Sequence, residues 1–204
     1  MKKSKRSVYL KIKRYIDCFL AVWAILLIWP LFLAICVAIK LDSKGSVFFT
    51  QKRVGFAGRL FDIYKFRTMY EYAPKDVPTH MLDDPEEYIT GVGAFLRKYG
   101  LDELPQLLNI IKGDMSFVGP RPALWNQYDL IRERAKHGAN RVPPGLTGLA
   151  QINGRDELNV SEKAAWDGVY ARDFGLLIDL KCFFGTFSTL FSADGVKKGG
   201  TGER

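Results

Sequence analysis

Histidine and cysteine are scarce in this chain of 204 residues, which contains two histidines and three cysteines. His80 and His137 leave little for a Ser-His-Asp or Cys-His catalytic machine, and no Gly-x-Ser-x-Gly motif is present. Cys18 and Cys36 lie within an apolar segment, and Cys182 is far from both along the chain. This spacing predicts neither a disulfide framework nor a metal site, so we expect reduced thiols in a reducing compartment.

Charge is absent from the segment between Cys18 and Ile39. A straight helix of this length reaches roughly 33 Å, enough to span a ~30 Å hydrocarbon core. Pro30 near its middle favours a bend, because proline removes a backbone hydrogen bond and clashes with the preceding turn. Cations are equally frequent before and after the segment, so no charge asymmetry orients it across a bilayer. We therefore favour a re-entrant hairpin bent at Pro30, with a single spanning helix as the alternative.

Positive charge is concentrated at the amino terminus. The formal net charge is +8, and lysines and arginines within residues 1–14 account for almost all of it. Such an arm beside a membrane helix is attracted to anionic lipid, whereas no basic stripe with stacking aromatics indicates a nucleic-acid partner. We expect a basic arm and re-entrant membrane helix over residues 1–40, one cytoplasmic domain over 41–195, and a flexible tail over 196–204.

The pattern after the membrane segment predicts an α+β domain that is mostly helical. Aromatic and β-branched residues over Ser46–Gln51 and Arg59–Phe66, separated by glycines, indicate a short β-hairpin. Residues 70–90 are acidic and contain prolines, which predicts a loop with a short helix at most. Apolar periodicity and capping signals predict helices over Gly91–Tyr99, Asp102–Lys112, Ala123–His137, Asn159–Asp173 and Leu176–Phe191. The last helix is rich in phenylalanine, so it lies either in the core or, as an amphipathic helix, in the membrane interface.

Two adjacent carboxylates, Asp102 and Glu103, stand at the predicted start of a helix. There the free N–H groups and the helix dipole favour ionised carboxylates and attract phosphate. Acidic residues are also common in first turns for structural reasons alone. Lys65 and Arg67, two residues apart on a predicted strand, share one face and could both meet a phosphate, although a solvated edge strand carries the same pattern.

Two loops rich in glycine and proline add polar groups to this candidate site. Gly113–Pro122 presents Arg121 in a stiff turn, where a guanidinium could bind a phosphate; a purely structural turn is the alternative. Pro144–Arg155 carries amide side chains at Gln151 and Asn153 and ends in an arginine, a composition typical of ligand-facing loops. Carboxylates, cations and glycine-rich turns together suit a metal–diphosphate substrate.

In this order after an apolar helix, these segments resemble the bacterial sugar transferases, the small monotopic phosphoglycosyl transferases that start polyprenol-linked glycan assembly. Asp-Glu-Leu-Pro-Gln-Leu followed by Gly-Asp-Met-Ser-x-Val-Gly-Pro-Arg-Pro is a highly specific combination. The resemblance covers about residues 8–195 and rests on Gln51–Gly55, Tyr64–Met69, Leu101–Leu107, Gly113–Pro122, Pro144–Arg155 and Asp179–Lys181. Trp29 departs from it, because relatives often have a small polar residue before the bending proline.

The resemblance implies transfer of a sugar 1-phosphate from a UDP-sugar to polyprenol (undecaprenyl) phosphate at the cytoplasmic face of the bacterial inner membrane. Asp102 would attack the β-phosphate, release UMP and carry the phosphosugar, while Glu103 would assist proton handling or position the acceptor. Mg²⁺ would neutralise the diphosphate and contact Asp102. The re-entrant helix would bend at Pro30, and downstream glycosyltransferases are possible partners. The implied substrate contacts are Lys65 or Arg67, Arg97, Arg121, Arg155 and Asp179, with structural support as the alternative for Asp179.

Two other functions fit parts of the pattern. A non-catalytic membrane-surface adaptor would use the basic arm and apolar helices to bind lipid and a glycan-assembly partner, leaving the carboxylates as helix caps. A metal-dependent phosphatase or nuclease is disfavoured, because the sequence has no histidine or aspartate cluster with metal-ligand spacing.

Overall fold

One long helix, α1, runs from Lys3 to Asp42 and carries the whole apolar segment. The computed structural model describes residues 3–74, 77, 82, 84–154 and 157–192, and the predicted flexible tail over 196–204 lies outside them. By length and composition α1 could cross a membrane. The backbone stays helical through Pro30, so the predicted helix–break–helix hairpin is not shown.

A single face of α1 contacts the rest of the protein along the length of the helix. Near its start, Arg14 donates hydrogen bonds to the carbonyl oxygens of Ile110 and Ile111. At its end, the Asp42 carboxylate accepts a hydrogen bond from the Val92 backbone N–H at 3.0 Å. The opposite face exposes large apolar side chains, among them Val8, Ile12, Phe19, Trp23, Leu27, Trp29 and Leu33. One face of α1 therefore belongs to the domain, and the other is left for a different environment.

The predicted β-hairpin is confirmed. β1 (Phe48–Val54) and β2 (Leu60–Phe66) pair antiparallel, with Phe48 opposite Phe66 and Val54 opposite Leu60. The rings of Phe48 and Phe66 stack at 5.7 Å between centroids, and Phe32 of α1 packs against Phe66 at 4.6 Å. These contacts attach one end of the hairpin to α1.

The helices follow the expected periodicity and capping signals, and the short helix in the acidic loop, α2, is present. Their bounds are α2 Pro85–Tyr88, α3 Gly91–Lys98, α4 Gln106–Lys112, α5 Tyr128–Lys136, α6 Leu149–Ile152, α7 Val160–Asp173 and α8 Leu176–Ser192. The Thr90 hydroxyl caps α3 by accepting from the Gly93 N–H at 3.0 Å. Asn159 and Glu162 form a reciprocal capping box at the start of α7.

The helix predicted from Asp102 begins only at Gln106. Residues Leu101–Glu103 form a single 3₁₀ turn instead. Gly100 enters this turn in the left-handed conformation, with φ of 67°, and Pro105 has no N–H to donate to an α-helical bond. The two carboxylates therefore lie on a separate turn that precedes α4.

Two further strands were not predicted, because each has only three residues. β3 (Ser116–Val118) and β4 (Gly145–Thr147) form a parallel pair. Between them, the carbonyl oxygen of Ala123 accepts a hydrogen bond from the Val54 N–H of β1 at 2.9 Å. This extended contact explains why α5 starts at Tyr128 and not five residues earlier. The predicted loop after residue 144 contains β4 and α6.

The core consists of three apolar clusters. Their buried members are Val118, Val142, Leu149, Tyr170, Ala171, Phe174 and Cys182 in the first, Ala21, Ile63, Leu107, Ile110 and Met115 in the second, and Ile35, Ile39, Phe66 and Leu96 in the third. The second and third include α1 residues on either side of Pro30. Burial of apolar surface thus holds both halves of α1 against the same domain.

A buried polar network joins α1 to α7, α8 and β3. The Asp179 carboxylate accepts hydrogen bonds from the Tyr9 and Tyr170 hydroxyls, both at 2.7 Å, and pairs with Lys13 Nζ at 2.8 Å. One turn later on α1, Asp17 lies 3.6 Å from the same lysine nitrogen and accepts a hydrogen bond from the first residue of β3 at 2.6 Å. Because buried charges are costly without partners, this network fixes the start of α1 on the domain.

We expect Asp179→Ala to destabilise the protein by about 3 kcal/mol, because it leaves the buried Lys13 ammonium without its closest partner. Thermal unfolding of the purified protein in detergent measures the effect. Asp173→Ala is the matched control, since Asp173 is exposed and pairs with its neighbour Arg172. Equal unfolding temperatures for the two variants would contradict a structural role for the network.

Candidate active site

The carboxylates of Asp102 and Glu103 are held on the 3₁₀ turn between α3 and α4. Leu101 and Leu104, which flank them, pack against the apolar cluster that contains Phe66. The turn is therefore anchored on both sides of the carboxylates. Asp102 is only 8% exposed, so its charge depends strongly on its neighbours.

Glu103 is enclosed by two cations from separate parts of the chain. Lys65 of β2 donates to Glu103 Oε1 at 2.8 Å. Arg121, which follows β3, binds both carboxylate oxygens through its two terminal nitrogens, with one distance of 3.2 Å. Burial would raise the pKa of Glu103, but Arg121 and Lys65 outweigh it and hold that pKa well below its usual range. Glu103 is thus a permanently ionised anchor for two cations.

Asp102 has the opposite shift. Burial raises the pKa of Asp102 above its usual range, and the nearby Glu103 charge raises it further, while Lys65 and Arg97 oppose the shift. Lys65 Nζ lies 3.6 Å from Asp102 Oδ2, farther than from Glu103. Adjacent carboxylates with divergent pKa values are typical of sites where the two groups have different chemical tasks.

The Asp102 carboxylate opens into a cavity beside the hairpin. Of the residues predicted for the site, Asp102, Lys65, Arg67 and Arg97 line this cavity together, and Lys65 and Arg121 both bind the neighbouring Glu103. Lys65 lies on β2 and Arg67 directly follows the strand, and both line the same cavity; their contact with a phosphate stays a prediction. Apolar and aromatic side chains also line the cavity, including Phe48, Phe49, Met69, Tyr70 and Val77. One cavity thus combines cations and a carboxylate with apolar side chains.

Arg97 and Arg67 differ in how many hydrogen bonds their guanidinium groups already donate within the protein. Arg97 Nε donates to the Thr68 hydroxyl at 2.8 Å. Burial lowers the pKa of Arg97, and the Asp102 charge partly restores it. Arg67 donates to the carbonyl oxygens of Ser43 and Lys44 and to the Ser43 hydroxyl, so most of its donors hold the connection between α1 and β1.

Arg53 also lines the cavity, although the sequence assigned it no role. It donates to Gln51 Oε1 at 2.6 Å and to the Pro122 carbonyl oxygen at 3.2 Å, and no described residue accepts from its buried Nε. Burial and then repulsion by Arg121 lower the pKa of Arg53 to about 10, while Glu103 opposes them. Two guanidinium groups that repel each other in a cavity gain from an anion bound between them. Arg53 lies within Gln51–Gly55, one of the segments on which the family resemblance rests, and that motif is the signal in the sequence that points to it.

Four predicted residues lie apart from this cavity or outside the described chain. Asn153 Nδ2 donates to the Leu149 carbonyl oxygen at 2.7 Å, and Gln151 Nε2 lies 3.4 Å from that of Leu146. Their predicted substrate contacts stay predictions. Asp179 belongs to the network at the start of α1, which is the structural alternative. Arg155 lies outside the described residues.

The predicted Mg²⁺ ligand, Asp102, is not part of a preformed metal cage. Within the described ranges, no group of three His, Cys, Asp or Glu side chains could hold a metal ion. Mg²⁺ often binds through one or two carboxylates and takes its remaining oxygens from substrate phosphates and water. The Asp102 carboxylate, which lines the cavity, therefore fits a metal that arrives with a diphosphate, and this ligand role stays a prediction.

Comparison with known proteins identifies relatives over most of the chain. The sequence model of the family described as "Bacterial sugar transferase" matches residues 8–193. The Exopolysaccharide production protein ExoY of Rhizobium meliloti (strain 1021) is 40% identical over 188 residues, covering 85% of this chain and 83% of that protein. The UDP-glucose:undecaprenyl-phosphate glucose-1-phosphate transferase of Xanthomonas campestris pv. campestris is 40% identical over 172 residues, covering 81% of this chain and 36% of its own length.

A third relative carries a different sugar in its name. The UDP-N-acetylgalactosamine-undecaprenyl-phosphate N-acetylgalactosaminephosphotransferase of Aeromonas hydrophila is 38% identical over 195 residues, covering 93% of this chain and 46% of that protein. This chain therefore matches less than half the length of two of these three relatives.

We expect the carboxyl pKa of Asp102 to lie above that of an ordinary aspartate and to rise further in Lys65→Met, because Lys65 stabilises the ionised form. Carbon-13 NMR of carboxyl-labelled protein measures it, with Asp102→Asn to assign the signal. Lys52→Met, which removes an exposed lysine from the same hairpin, is the control and should leave the pKa unchanged. A lower pKa in Lys65→Met would contradict this electrostatic account.

Proposed function

The chain belongs to the bacterial sugar transferase family, and on this premise we propose that it transfers a sugar 1-phosphate from a UDP-sugar to polyprenol phosphate. The relatives named for undecaprenyl-phosphate sugar transfer support this reaction class. Their names differ in the sugar, so the proposal covers UDP-sugars as a class. Transfer would be the first membrane step of glycan assembly.

The observation that carries the proposal is that the two carboxylates differ in how closely they are paired with cations. Glu103 is saturated by Lys65 and Arg121, whereas Asp102 faces the cavity with only a distant ion pair. A carboxylate nucleophile needs a free oxygen beside a well-neutralised electrophile. Asp102 meets that requirement and Glu103 does not.

The reaction then has two displacements at one phosphorus atom. An Asp102 oxygen attacks the β-phosphorus of the UDP-sugar, the bond from that phosphorus to the bridging oxygen breaks, and UMP leaves with the electron pair. A phosphate oxygen of polyprenol phosphate next attacks the phosphorus of the sugar-phosphoryl aspartate. The bond to Asp102 breaks, which releases polyprenol diphosphate sugar and restores the carboxylate. Each step conserves charge, so no oxidant or further reactant is required.

Cations of the cavity would neutralise the charge that gathers on the diphosphate. Lys65, Arg53 and Arg97 line the cavity around Asp102, and a bound diphosphate would relieve the mutual repulsion of Arg53 and Arg121. Mg²⁺, held by Asp102 and substrate phosphates, would supply further neutralisation when bound. Glu103 keeps Lys65 and Arg121 in position, which is a positioning role and does not require it to exchange a proton.

Membrane attachment would come from the exposed apolar face of α1 together with that of α8. α8 buries Cys182 and Asp179 but exposes apolar side chains on its other face, with Leu177 85% exposed. This pattern fits the predicted interfacial alternative for α8. The two faces would place the active-site cavity at the interface, where a soluble nucleotide sugar and a lipid phosphate can both arrive.

Both ends of α1 would lie on the same side of the bilayer, as in a re-entrant or monotopic arrangement. The network around Asp179 holds the start of α1, and Asp42 at its end is bonded to Val92 of the same domain. A spanning α1 would have to break one of these attachments, because a single domain cannot occupy both sides. A cytoplasmic face would supply the nucleotide sugar.

Incubation with a UDP-sugar but no polyprenol phosphate should leave a phosphosugar on the enzyme, detected as a mass increase of the intact protein. Asp102→Asn should lose this adduct and lower turnover by at least about 10³-fold, because it removes the nucleophile. The adduct should disappear from the unmodified enzyme when polyprenol phosphate is added.

Asp129→Asn, at an exposed position on α5, is the matched control and should form the adduct normally. Equal adduct in Asp102→Asn and wild type would reject Asp102 as the nucleophile. Absence of UMP release across a panel of UDP-sugars, with polyprenol phosphate present, would favour the non-catalytic adaptor instead.

Single-cysteine variants test the topology, in a background where the native cysteines are replaced by serine or alanine. Cysteines at the exposed positions Lys11 and Lys98 should both resist a membrane-impermeant maleimide in intact spheroplasts and both react after lysis. Reaction of the first position alone in intact spheroplasts would mean that α1 spans the membrane.

A further inference from the structure

A second cavity shares no lining residue with the cavity of Asp102. Its basic side chains come from three parts of the chain: Arg6 from the first turns of α1, His137 and Arg141 from the connection between α5 and β4, and Arg172 from α7. None of these residues has a role in the proposed transfer reaction. The cavity therefore requires its own explanation.

Among the residues that the structure describes, the arginines of this cavity outnumber the carboxylates that pair with them. Arg172 pairs with Asp173 at 3.0 Å, and Glu133 lies 3.8 Å from His137 while also binding Lys136 at 2.6 Å. Among the described residues, Arg6 and Arg141 have no ion-pair partner. The Nη2 atom of Arg6 is buried, and no described residue accepts a hydrogen bond from it. Unpaired guanidinium groups in a concave site favour a phosphate or carboxylate ligand.

The surroundings of the cavity are apolar on the side of the membrane helix. The Arg6 guanidinium lies over the Phe174 ring at 5.6 Å, and Phe174 is followed closely by the exposed Leu176 and Leu177 at the start of α8. Cationic groups next to exposed apolar side chains match an amphiphile, whose charged head and apolar chains need both environments.

We propose that this cavity binds the phosphate of an anionic phospholipid headgroup, with the acyl chains lying along the exposed apolar side chains at the start of α8. Arg6, Arg141 and Arg172 contact the phosphate. This site is distinct from the diffuse attraction of the basic arm to a charged bilayer, because two of its arginines belong to the folded domain. Its occupation would lock the start of α1 and the start of α8 to the same lipid.

Two glycines allow α7 to pack closely against the turn that follows α5. A Cβ atom on Gly168 of α7 would lie 2.6 Å from the Cβ of His137, so only glycine lets α7 pack this closely against the turn. Gly138 forms that turn in the left-handed conformation, with φ of 68°. These two glycines bring the His137–Arg141 connection beside Arg172.

Native mass spectrometry of the full-length protein in a neutral detergent tests the proposal by titration with phosphatidylglycerol. Wild type should retain one lipid saturably, and the triple variant Arg6→Gln, Arg141→Gln, Arg172→Gln should bind it at least 10-fold more weakly. The control triple variant Arg59→Gln, Arg132→Gln, Lys136→Gln removes the same charge from exposed positions outside the cavity and should bind within twofold of wild type. Zwitterionic phosphatidylcholine should bind wild type at least 10-fold more weakly than phosphatidylglycerol.

Equal affinity of the two triple variants for phosphatidylglycerol would overturn the site. Displacement of the lipid by an equal concentration of inorganic phosphate would overturn the lipid assignment, because it would mean that the cavity recognises free phosphate. In the same phosphatidylglycerol titration, the single variant Arg6→Gln should bind the lipid about threefold more weakly than wild type. This single variant tests the site if the triple variant does not fold. Wild-type affinity in this single variant would count against the proposal.

Discussion

The sharing of Lys65 between two adjacent carboxylates is the interaction on which the rest of the site depends. Its ammonium lies 2.8 Å from Glu103 and 3.6 Å from Asp102, and Arg121 adds a second cation to Glu103 alone. The imbalance separates the two pKa values in opposite directions. Without it, two neighbouring carboxylates in a buried turn would compete for one proton, and neither would have a defined task.

This imbalance requires a scaffold that brings together residues distant in sequence. Lys65 lies on the hairpin, Arg121 follows β3, and the carboxylates lie on the turn before α4. α1 contributes to the clusters beneath all three, and the buried charges around Asp179 fix its start. α1 is therefore part of the scaffold of the candidate site, and under the proposed function its exposed face would determine where the site lies relative to lipid.

Local patterns in the sequence predicted much of the fold, while features that depend on distant contacts were missed. The hairpin, the capping box at Asn159 and the closing of α4 by Gly113 follow from short-range signals. The three-residue pairing of β3 with β4 has no such signal. The family motifs led to Asp102, Glu103, Lys65 and Arg121, because each lies inside a specific segment.

Arg53 and the partners of Asp179 depend on which elements meet in space. Arg53 lies next to Arg121 although 68 positions separate them in the numbering, and Asp179 meets Tyr9 across the whole domain. Periodicity carries no information about such pairs. The prediction that a helix starts at Asp102 was wrong, because acidic residues and proline are equally common in a 3₁₀ turn and in the first turn of an α-helix. Local sequence therefore does not separate the two.

The central claim is that Asp102, and not Glu103, forms the bond to phosphorus. The most direct measurement is an experimental structure of the enzyme trapped with a UDP-sugar before the acceptor is added. The account predicts continuous density from an Asp102 oxygen to a phosphosugar, with Glu103 still bound to Lys65 and Arg121. Phosphorus bonded to Glu103 or to any other atom, or an intact UDP-sugar that reacts only when polyprenol phosphate arrives, would contradict it.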